Sequence, residues 1–346
     1  MWNGEGIPMA AVAIVQTAYI GDVVLATPLL ESARKSLPNR RVVAVVRREC
    51  ENVLGNNPFV DEILVWDKRG GEGGIGGVIG FAGRLRSLGV ETALVPHRSL
   101  RTGLAVRLAG VNERIGFSKG GGALFHSVRV LYRYGIHEVE RNLMLAAAAG
   151  WIAEGLRPGI FPDDMDCETV ERILAGAVAF CVFAPGSVWP TKMWPAESYT
   201  EVGCHFSRKG LRVLMSGGSE DRGVCARIAG DIPGALDVSG KLTLRQSAEL
   251  YRRALFVLTG DTAPQHLAAA MDARVFSLFG PTVREFGFWP YTGKGVVIEE
   301  GRGDPTGRLY CRPCGAHGHR DCPNRTHLCM RRITGKAVVE TIEEHL

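Results

Sequence analysis

The chain has 346 residues, 46% of them hydrophobic and 22% charged, with 44 glycines and a formal net charge of +5. That length suits two ordinary domains with separate cores. No apolar run nears the roughly 18 residues a membrane span needs, and so modest a charge does not argue for nucleic acid as a partner.

In chain order, Met1 to Met9 lacks the basic and apolar regions of a signal peptide, so a cytoplasmic location is expected. Strand-like runs follow at 11–15, 41–46, 62–65 and 92–95, with helix-period segments at 29–36, 81–88 and 140–153. The pattern weakens over 155–166, where Gly, Pro and Asp cluster, and restarts with a strand at 179–184. The predicted domains are therefore 1–165 and 166–346. The second continues with strands at 211–216, 256–259 and 274–279, and helices at 196–209, 244–253 and 264–271. A terminal amphipathic helix at 336–346 is expected to cross back to the first domain. Alternating β and α signals predict an α/β chain with parallel sheets wound by helices. Two such domains imply a cleft, a default place for a ligand.

The first domain opens with Gln16-Thr-Ala-Tyr-Ile-Gly-Asp-Val-Val-Leu-Ala-Thr-Pro28. A dinucleotide site would place Gly-x-Gly-x-x-Gly at this turn; Gly21 stands alone, which counts against a nicotinamide enzyme. Asp22, at a helix start, has two readings: it complements the helix dipole, or it is a general base. Held by a helix N-terminus it would be weakly basic, taking a proton only as an attacking hydroxyl loses it. Thr27-Pro28 looks like a second helix start and predicts an irregular or kinked stretch from Gly21 to Pro28.

From Arg98 to Arg133 seven basic residues accompany one acid, Glu113. Singly these read as solvated charge; together they suit an anionic acceptor bearing carboxylates and phosphates. Arg98 and Arg101, after a strand's carboxyl end, are the leading acceptor contacts, with Arg47 and Arg48 next. The glycine-rich stretch 70–80 reads either as a mobile segment closing over acceptor or as a plain connection.

The second domain opens with Val182-Phe-Ala-Pro-Gly-Ser-Val-Trp-Pro-Thr-Lys-Met-Trp-Pro195. Lys192, after a strand and near Ser187 and Thr191, is either a surface charge or a phosphate contact for a diphosphate leaving group. Trp189 and Trp194 read as packing residues. Further on, an apolar strand stops at Gly260-Asp-Thr-Ala-Pro264, where Pro264 suits a helix start. Such a helix N-terminus beside a strand's carboxyl end attracts phosphate. Asp261 is expected to organise this turn by accepting its N–H groups. His266, one turn in, either reaches a diphosphate or caps the fold.

Three segments together resemble the ADP-heptose:lipopolysaccharide heptosyltransferases, glycosyltransferase family 9, nearest to their type II. They are Gly21-Asp-Val-Val-Leu-Ala-Thr-Pro28, Ala184-Pro-Gly-Ser-Val-Trp-Pro-Thr-Lys-Met-Trp-Pro195, and Gly260-Asp-Thr-Ala-Pro-Gln-His-Leu-Ala-Ala-Ala270 with Leu278-Phe-Gly-Pro-Thr282. The resemblance implies a GT-B fold, two Rossmann-like domains with parallel sheets facing a central cleft. It implies inverting transfer of heptose from ADP-heptose to the inner core of lipopolysaccharide, with no required cofactor, on the cytoplasmic side and in peripheral contact with the inner membrane. Asp22 matches the family's base; Lys192, Asp261, Thr262 and His266 match its diphosphate region, beside Ser187, Thr191 and Ala263. Glu220, with Asp221 behind it, matches the ribose acid, and Leu242 a position beside adenine. The sequence departs from the pattern at Ala263-Pro264-Gln265, where the proline removes an N–H able to serve phosphate.

Of nine cysteines, Cys50, Cys167, Cys181, Cys204 and Cys225 are scattered and read as small core residues or inert thiols. Cys311, Cys314, Cys322 and Cys329 cluster with His317, His319 and His327. With one Cys-x2-Cys pair, this tail is either a structural zinc site or a metal-free loop packed near the donor site. The alternative functions are a sugar-nucleotide epimerase of the same two-domain fold, which would need a second acid or base, and a non-enzymatic zinc or nucleic-acid module.

Overall fold

The computed structural model describes residues 10–68, 70–176, 179–300 and 309–346. Met1 to Met9, on which the signal-peptide expectation rests, lie outside them. The chain divides into two compact units, Met1–Phe161 and Pro162–Leu346, breaking slightly earlier than the expected residue 165. Among the described residues no helix is long and apolar enough to cross a membrane.

The first unit runs β1 (Ala11–Val15), α1 (Ile20–Ser36), β2 (Arg41–Val46), β3 (Glu62–Val65), α2 (Ile75–Ser87), β4 (Val90–Val95), α3 (Leu100–Leu108), β5 (Glu113–Phe117), β6 (Val128–Val130) and α4 (Glu138–Ala148). The second runs α5 (Asp164–Leu174), β7 (Phe180–Ala184), α6 (Ala196–Arg208), β8 (Arg212–Met215), α7 (Arg222–Gly230), β9 (Leu236–Asp237), α8 (Leu244–Arg253), β10 (Val257–Gly260), α9 (Ala263–Ala270), β11 (Val275–Phe279), β12 (Gly295–Glu299), α10 (Leu328–Arg331) and α11 (Gly335–His345).

Each unit holds one six-stranded sheet, ordered β3-β2-β1-β4-β5-β6 and β12-β11-β10-β7-β8-β9, and every pair is parallel. Counted from its own first strand, each sheet has the Rossmann order 3-2-1-4-5-6. Strands buried on both faces must be near-continuously apolar, and β1, β7 and β11 are buried at every position. The order reverses between β1 and β4, and between β7 and β10. At such a switch point the loops leave the sheet in opposite directions and open a crevice at the carboxyl ends of the strands. Everything of functional interest in either unit follows from those two crevices.

Two local expectations are corrected. The helix expected at 29–36 begins at Ile20 and carries Pro28 in its interior. Pro28 supplies no N–H to Val24, and Thr27 answers this by donating its hydroxyl to Val24 O at 2.7 Å, so Thr27 is not a second cap. Its oxygen also accepts Gly159 N–H at 3.1 Å. Thr27→Val, which keeps the shape at this buried position and strands both partners, is expected to cost about 1–3 kcal/mol in urea denaturation. The glycine-rich stretch is not a connection throughout, since α2 starts at Ile75; Val78, Phe81 and Leu85 bury one face, with Phe81 stacked on Trp66 at 4.2 Å. The apolar face of α11 packs within the second unit. Val338 and Ile342 are fully buried in the core of the second unit with Phe206 of α6 and Phe276 of β11, because that apolar face completes the helical layer there.

Candidate active site

In the second unit, the loop after β7 and the turn after β10 meet across the switch point. Lys192 Nζ donates to Asp261 Oδ2 at 2.7 Å and to Asp261 O at 2.9 Å. Asp261, 8% exposed, also accepts Thr282 Oγ1 at 2.7 Å and Gln265 Nε2 at 2.8 Å. Burial pushes this carboxyl up, but the Lys192 charge, with the bonds from Lys192 and Thr282, outweighs it and holds the group below the usual carboxylate range. Asp261 thus organises the turn through three side-chain donors, where N–H groups of its own turn were expected. Lysine has three N–H groups; two are spent on Asp261, which leaves one for a ligand.

The helix α9 begins at Ala263, with Thr262 as its N-cap and Pro264 in its first turn. Thr262 makes no side-chain cap bond. Gln265, fully buried, donates to both Asp261 Oδ1 and Phe288 O, which fixes its Nε2 as the amide nitrogen. That nitrogen, both of whose hydrogens are spent on Asp261 and Phe288, lies 3.3 Å from His266 Nε2. Burial pushes His266 down to about 4, aided by Lys192 and opposed by Asp261, so the ring is neutral at pH 7. Its Nδ1 is buried without a partner. With its proton on Nδ1, the ring offers a donor beside a lysine and a helix N-terminus, which suits a diphosphate oxygen.

The neighbouring loops complete this crevice. Ser187 Oγ accepts Trp189 N–H at 3.0 Å. After β8, Asp221 Oδ2 accepts Gly218 N–H at 2.8 Å and lies so close to Gly186 that a Cβ there would sit 2.0 Å from its Oδ1. The carboxyl is pushed up by burial. Glu220 stays exposed, meeting only the Ser219 hydroxyl at 3.1 Å. Leu242 is half-buried in the turn after β9. Trp194 is a packing residue, its Nε1 donating to Ile333 O at 2.9 Å.

The cysteine-rich tail folds onto these turns. Thr191 Oγ1 donates to His319 O and accepts His319 N–H, both at 2.8 Å, and His327 Nε2 lies 2.8 Å from Thr191 O. Gly318 (φ +82°) allows this approach, since a Cβ there would lie 2.8 Å from Thr191 Oγ1. The Thr191 hydroxyl is therefore bonded to the tail. Arg312 bonds Phe279 O and Thr282 O, and Cys314 N–H bonds Pro281 O at 2.7 Å. Among the described residues no group of three or more His, Cys, Asp or Glu is placed to hold a metal. Cys329 is turned into the core beside Met330, and Cys322 accepts His327 N–H at 3.4 Å. The structural-zinc reading finds no support in this arrangement.

In the first unit, Asp22 lies in the first turn of α1 and accepts Tyr19 N–H at 3.1 Å. There its charge lies at the positive end of the helix dipole. Asp22's field reaches Cys50, Tyr132 and Glu138. Arg141, fully buried, pairs with Glu138 Oε2 at 2.6 Å and lies 4.8 Å from the Tyr132 ring centroid; exposed Arg98 lies over the same ring at 4.4 Å. This buried pair was missed because Glu138 and Arg141 look like surface charges; their i, i+3 spacing was the available signal. Arg101 reaches Gly73 O at 2.8 Å. Arg47 is buried rather than solvated, pairs with Glu49 at 3.2 Å, and leaves Nε without a partner. Arg114 is spent on the carbonyls of Phe125 and Asn112.

The family model described as glycosyltransferase family 9 (heptosyltransferase) matches residues 79–305. The chain belongs to this family. Lipopolysaccharide heptosyltransferase 1 of Pseudomonas aeruginosa is 26% identical over 288 residues, covering 78% of this chain and 79% of that protein. Lipooligosaccharide heptosyltransferase 2 of Haemophilus influenzae is 23% identical over 306 residues, covering 83% and 88%. These relatives, of types 1 and 2 at similar identity, assign the chain to the family and to neither type. The structure of Escherichia coli ADP-heptose lipopolysaccharide heptosyltransferase II superposes with a TM-score of 0.78 at 21% identity, covering 97% of this chain and 98% of that one. That likeness carries the GT-B fold of two Rossmann-like domains. Membership of a glycosyltransferase family decides between transferase and epimerase in favour of the transferase.

Proposed function

We propose that this glycosyltransferase moves heptose from ADP-heptose to the inner core of lipopolysaccharide with inversion, at the inner face of the cytoplasmic membrane. The observation that carries the reading is the second unit's switch point. A lysine locked on a buried carboxylate, a neutral histidine whose buried Nδ1 has no partner among the described residues, and a helix N-terminus converge there, which suits a diphosphate leaving group. Lys192, His266 and the backbone of Thr262 and Ala263 hold the diphosphate; Asp261 and Thr191 orient Lys192. Ser187 borders the phosphates, Glu220 takes the ribose and Leu242 the adenine. In the first unit Asp22 receives the proton of the attacking acceptor hydroxyl as the new glycosidic bond forms and ADP departs, while Arg98, Arg101 and Arg47 bind the anionic acceptor.

Donor choice is tested by thermal shift. At a hundredfold excess over Kd, ADP or ADP-heptose is expected to raise the melting temperature by about 5–10 °C, from about 2.7 kcal/mol of linkage. UDP and UDP-sugars are expected to leave it nearly unmoved; equal shifts with both would remove the ADP-sugar assignment.

A further inference from the structure

The first unit's crevice also holds a buried lysine, in a different electrostatic setting. Lys68, just beyond β3, donates to Thr17 Oγ1 and to Thr102 Oγ1, each at 2.5 Å, and its Nζ lies 4.1 Å from the Trp66 ring centroid. Thr17 follows β1 and Thr102 lies in α3, so the lysine spans the reversal between β1 and β4. Thr17 Oγ1 is 2.8 Å from His97 Nδ1 and Thr102 Oγ1 is 3.2 Å from it. An ammonium only donates, so both hydroxyl oxygens accept from Lys68.

Lys68 is 9% exposed. In the second unit the equivalent crevice neutralises Lys192 with Asp261; here, among the described residues, no carboxylate pairs with Lys68. The acids on the adjoining loop are engaged elsewhere: Asp67 accepts Gly70 N–H at 2.9 Å, and Glu72 accepts Asp67 N–H at 2.9 Å and pairs with Arg84. Glu49 pairs with Arg47. The other charges that bear on Lys68 are cations, Arg101 and Arg47, and Arg47 Nε is a second buried donor with no partner. A desolvated ammonium beside the exposed Arg101 and the Glu49-paired Arg47 is unfavourable without an anion of its own, and an incoming oxyanion relieves it.

We infer that Lys68, fixed by Thr17 and Thr102 and flanked by Arg47, Arg101 and His97, forms a subsite for one carboxylate or phosphate of the acceptor. This rests on the reading of the first unit as the acceptor side. Burial first, then the Arg101 and Arg47 charges, push the Lys68 ammonium down to about 7. The subsite is therefore charged below neutrality and loses its charge as pH rises. The same fields and burial push His97 down to about 3, so the imidazole stays neutral throughout.

The test uses the full chain with Lys68→Met and Lys68→Arg. Lys68→Met is expected to raise acceptor KM by about 10–100-fold, the loss of one hydrogen bond to a charged group, with donor KM unchanged. In the wild type, kcat/KM for acceptor should fall between pH 6.5 and 8.5 with a limb near 7, and Lys68→Arg, which keeps its charge, should lack that limb. Inorganic phosphate and acetate, tried as competitors of acceptor, distinguish a phosphate-type from a carboxylate-type ligand. Unchanged acceptor KM in Lys68→Met beside active wild type would overturn the subsite. Should the wild type transfer no heptose, the function reading fails separately, and hydrogen exchange of the segments holding Thr17 and 97–102 decides the subsite. Slowing by phosphate or acetate in wild type and not in Lys68→Met supports it; no slowing in either refutes it.

Discussion

Asp22→Asn is expected to lower kcat by about 10²–10⁴-fold, the usual share of a positioned general base, while leaving the affinity for ADP unchanged. The substitution is chosen to separate the two roles that Asp22 combines. An amide oxygen can still accept Tyr19 N–H, so the first turn of α1 keeps its closure, but it cannot take a proton. Were the carboxylate only a helix-terminal charge, worth about 0.3–1 kcal/mol, the variant would lose a little stability and no chemistry. Saturating-acceptor turnover read from ADP release, with titration of ADP into the free enzyme, distinguishes these cases. Near-normal turnover would take Asp22 out of the mechanism. Selective loss of ADP binding would show that the variant had disturbed the second unit rather than the proton transfer.

What could be read without coordinates divides along a physical line. The βα turns carrying Gly21-Asp22, Ser187 to Lys192 and Gly260 to His266 are local in sequence, and each shows a strand end, a loop and a helix start within a dozen residues. The Rossmann units were legible for that reason, and so were the turns that carry the proposed donor residues. Strands β5 and β6 were not, because Glu113-Arg-Ile-Gly-Phe117 begins charged and β6 has three residues; sheet pairing makes them strands, not their own propensity. The start of α1 was misplaced because Pro28 reads as a boundary, and only the Thr27 hydroxyl bond explains its tolerance inside a helix. Gln265 looked like a departure from the family pattern until its amide was seen to bridge Asp261 and Phe288. Lys68 was invisible for a related reason. Its partners Thr17 and Thr102 are 51 and 34 positions away, brought together only by the crossing of three strands.

The Lys192–Asp261 pair permits a test in which stability and donor binding part company. Lys192→Met leaves a carboxylate, 8% exposed, with Gln265 and Thr282 alone, and breaking a buried pair from one side costs about 3–5 kcal/mol. The melting temperature of the second unit should fall by about 6–20 °C. The pH dependence gives the sign. In the wild type the Asp261 carboxyl is held below its ordinary value, so its contribution is present above the unfolded pKa of about 3.9 and is lost as pH falls through the folded value. Without Lys192, burial is the leading influence and raises the carboxyl instead. The folded variant then binds a proton that the unfolded chain has already lost, so acidification towards pH 4 should narrow its deficit against wild type. Lys192→Met with Asp261→Asn removes both charges and should recover most of the stability, since a neutral buried pair carries no uncompensated ion. ADP affinity should not recover with it: both the single and the double variant are expected to bind ADP about 10–100-fold more weakly, the loss of one charge-assisted bond to a phosphate oxygen. If the double variant regained wild-type ADP affinity, Lys192 would be an internal strut of the crevice, and the diphosphate would have to be held by His266 and the α9 N-terminus alone.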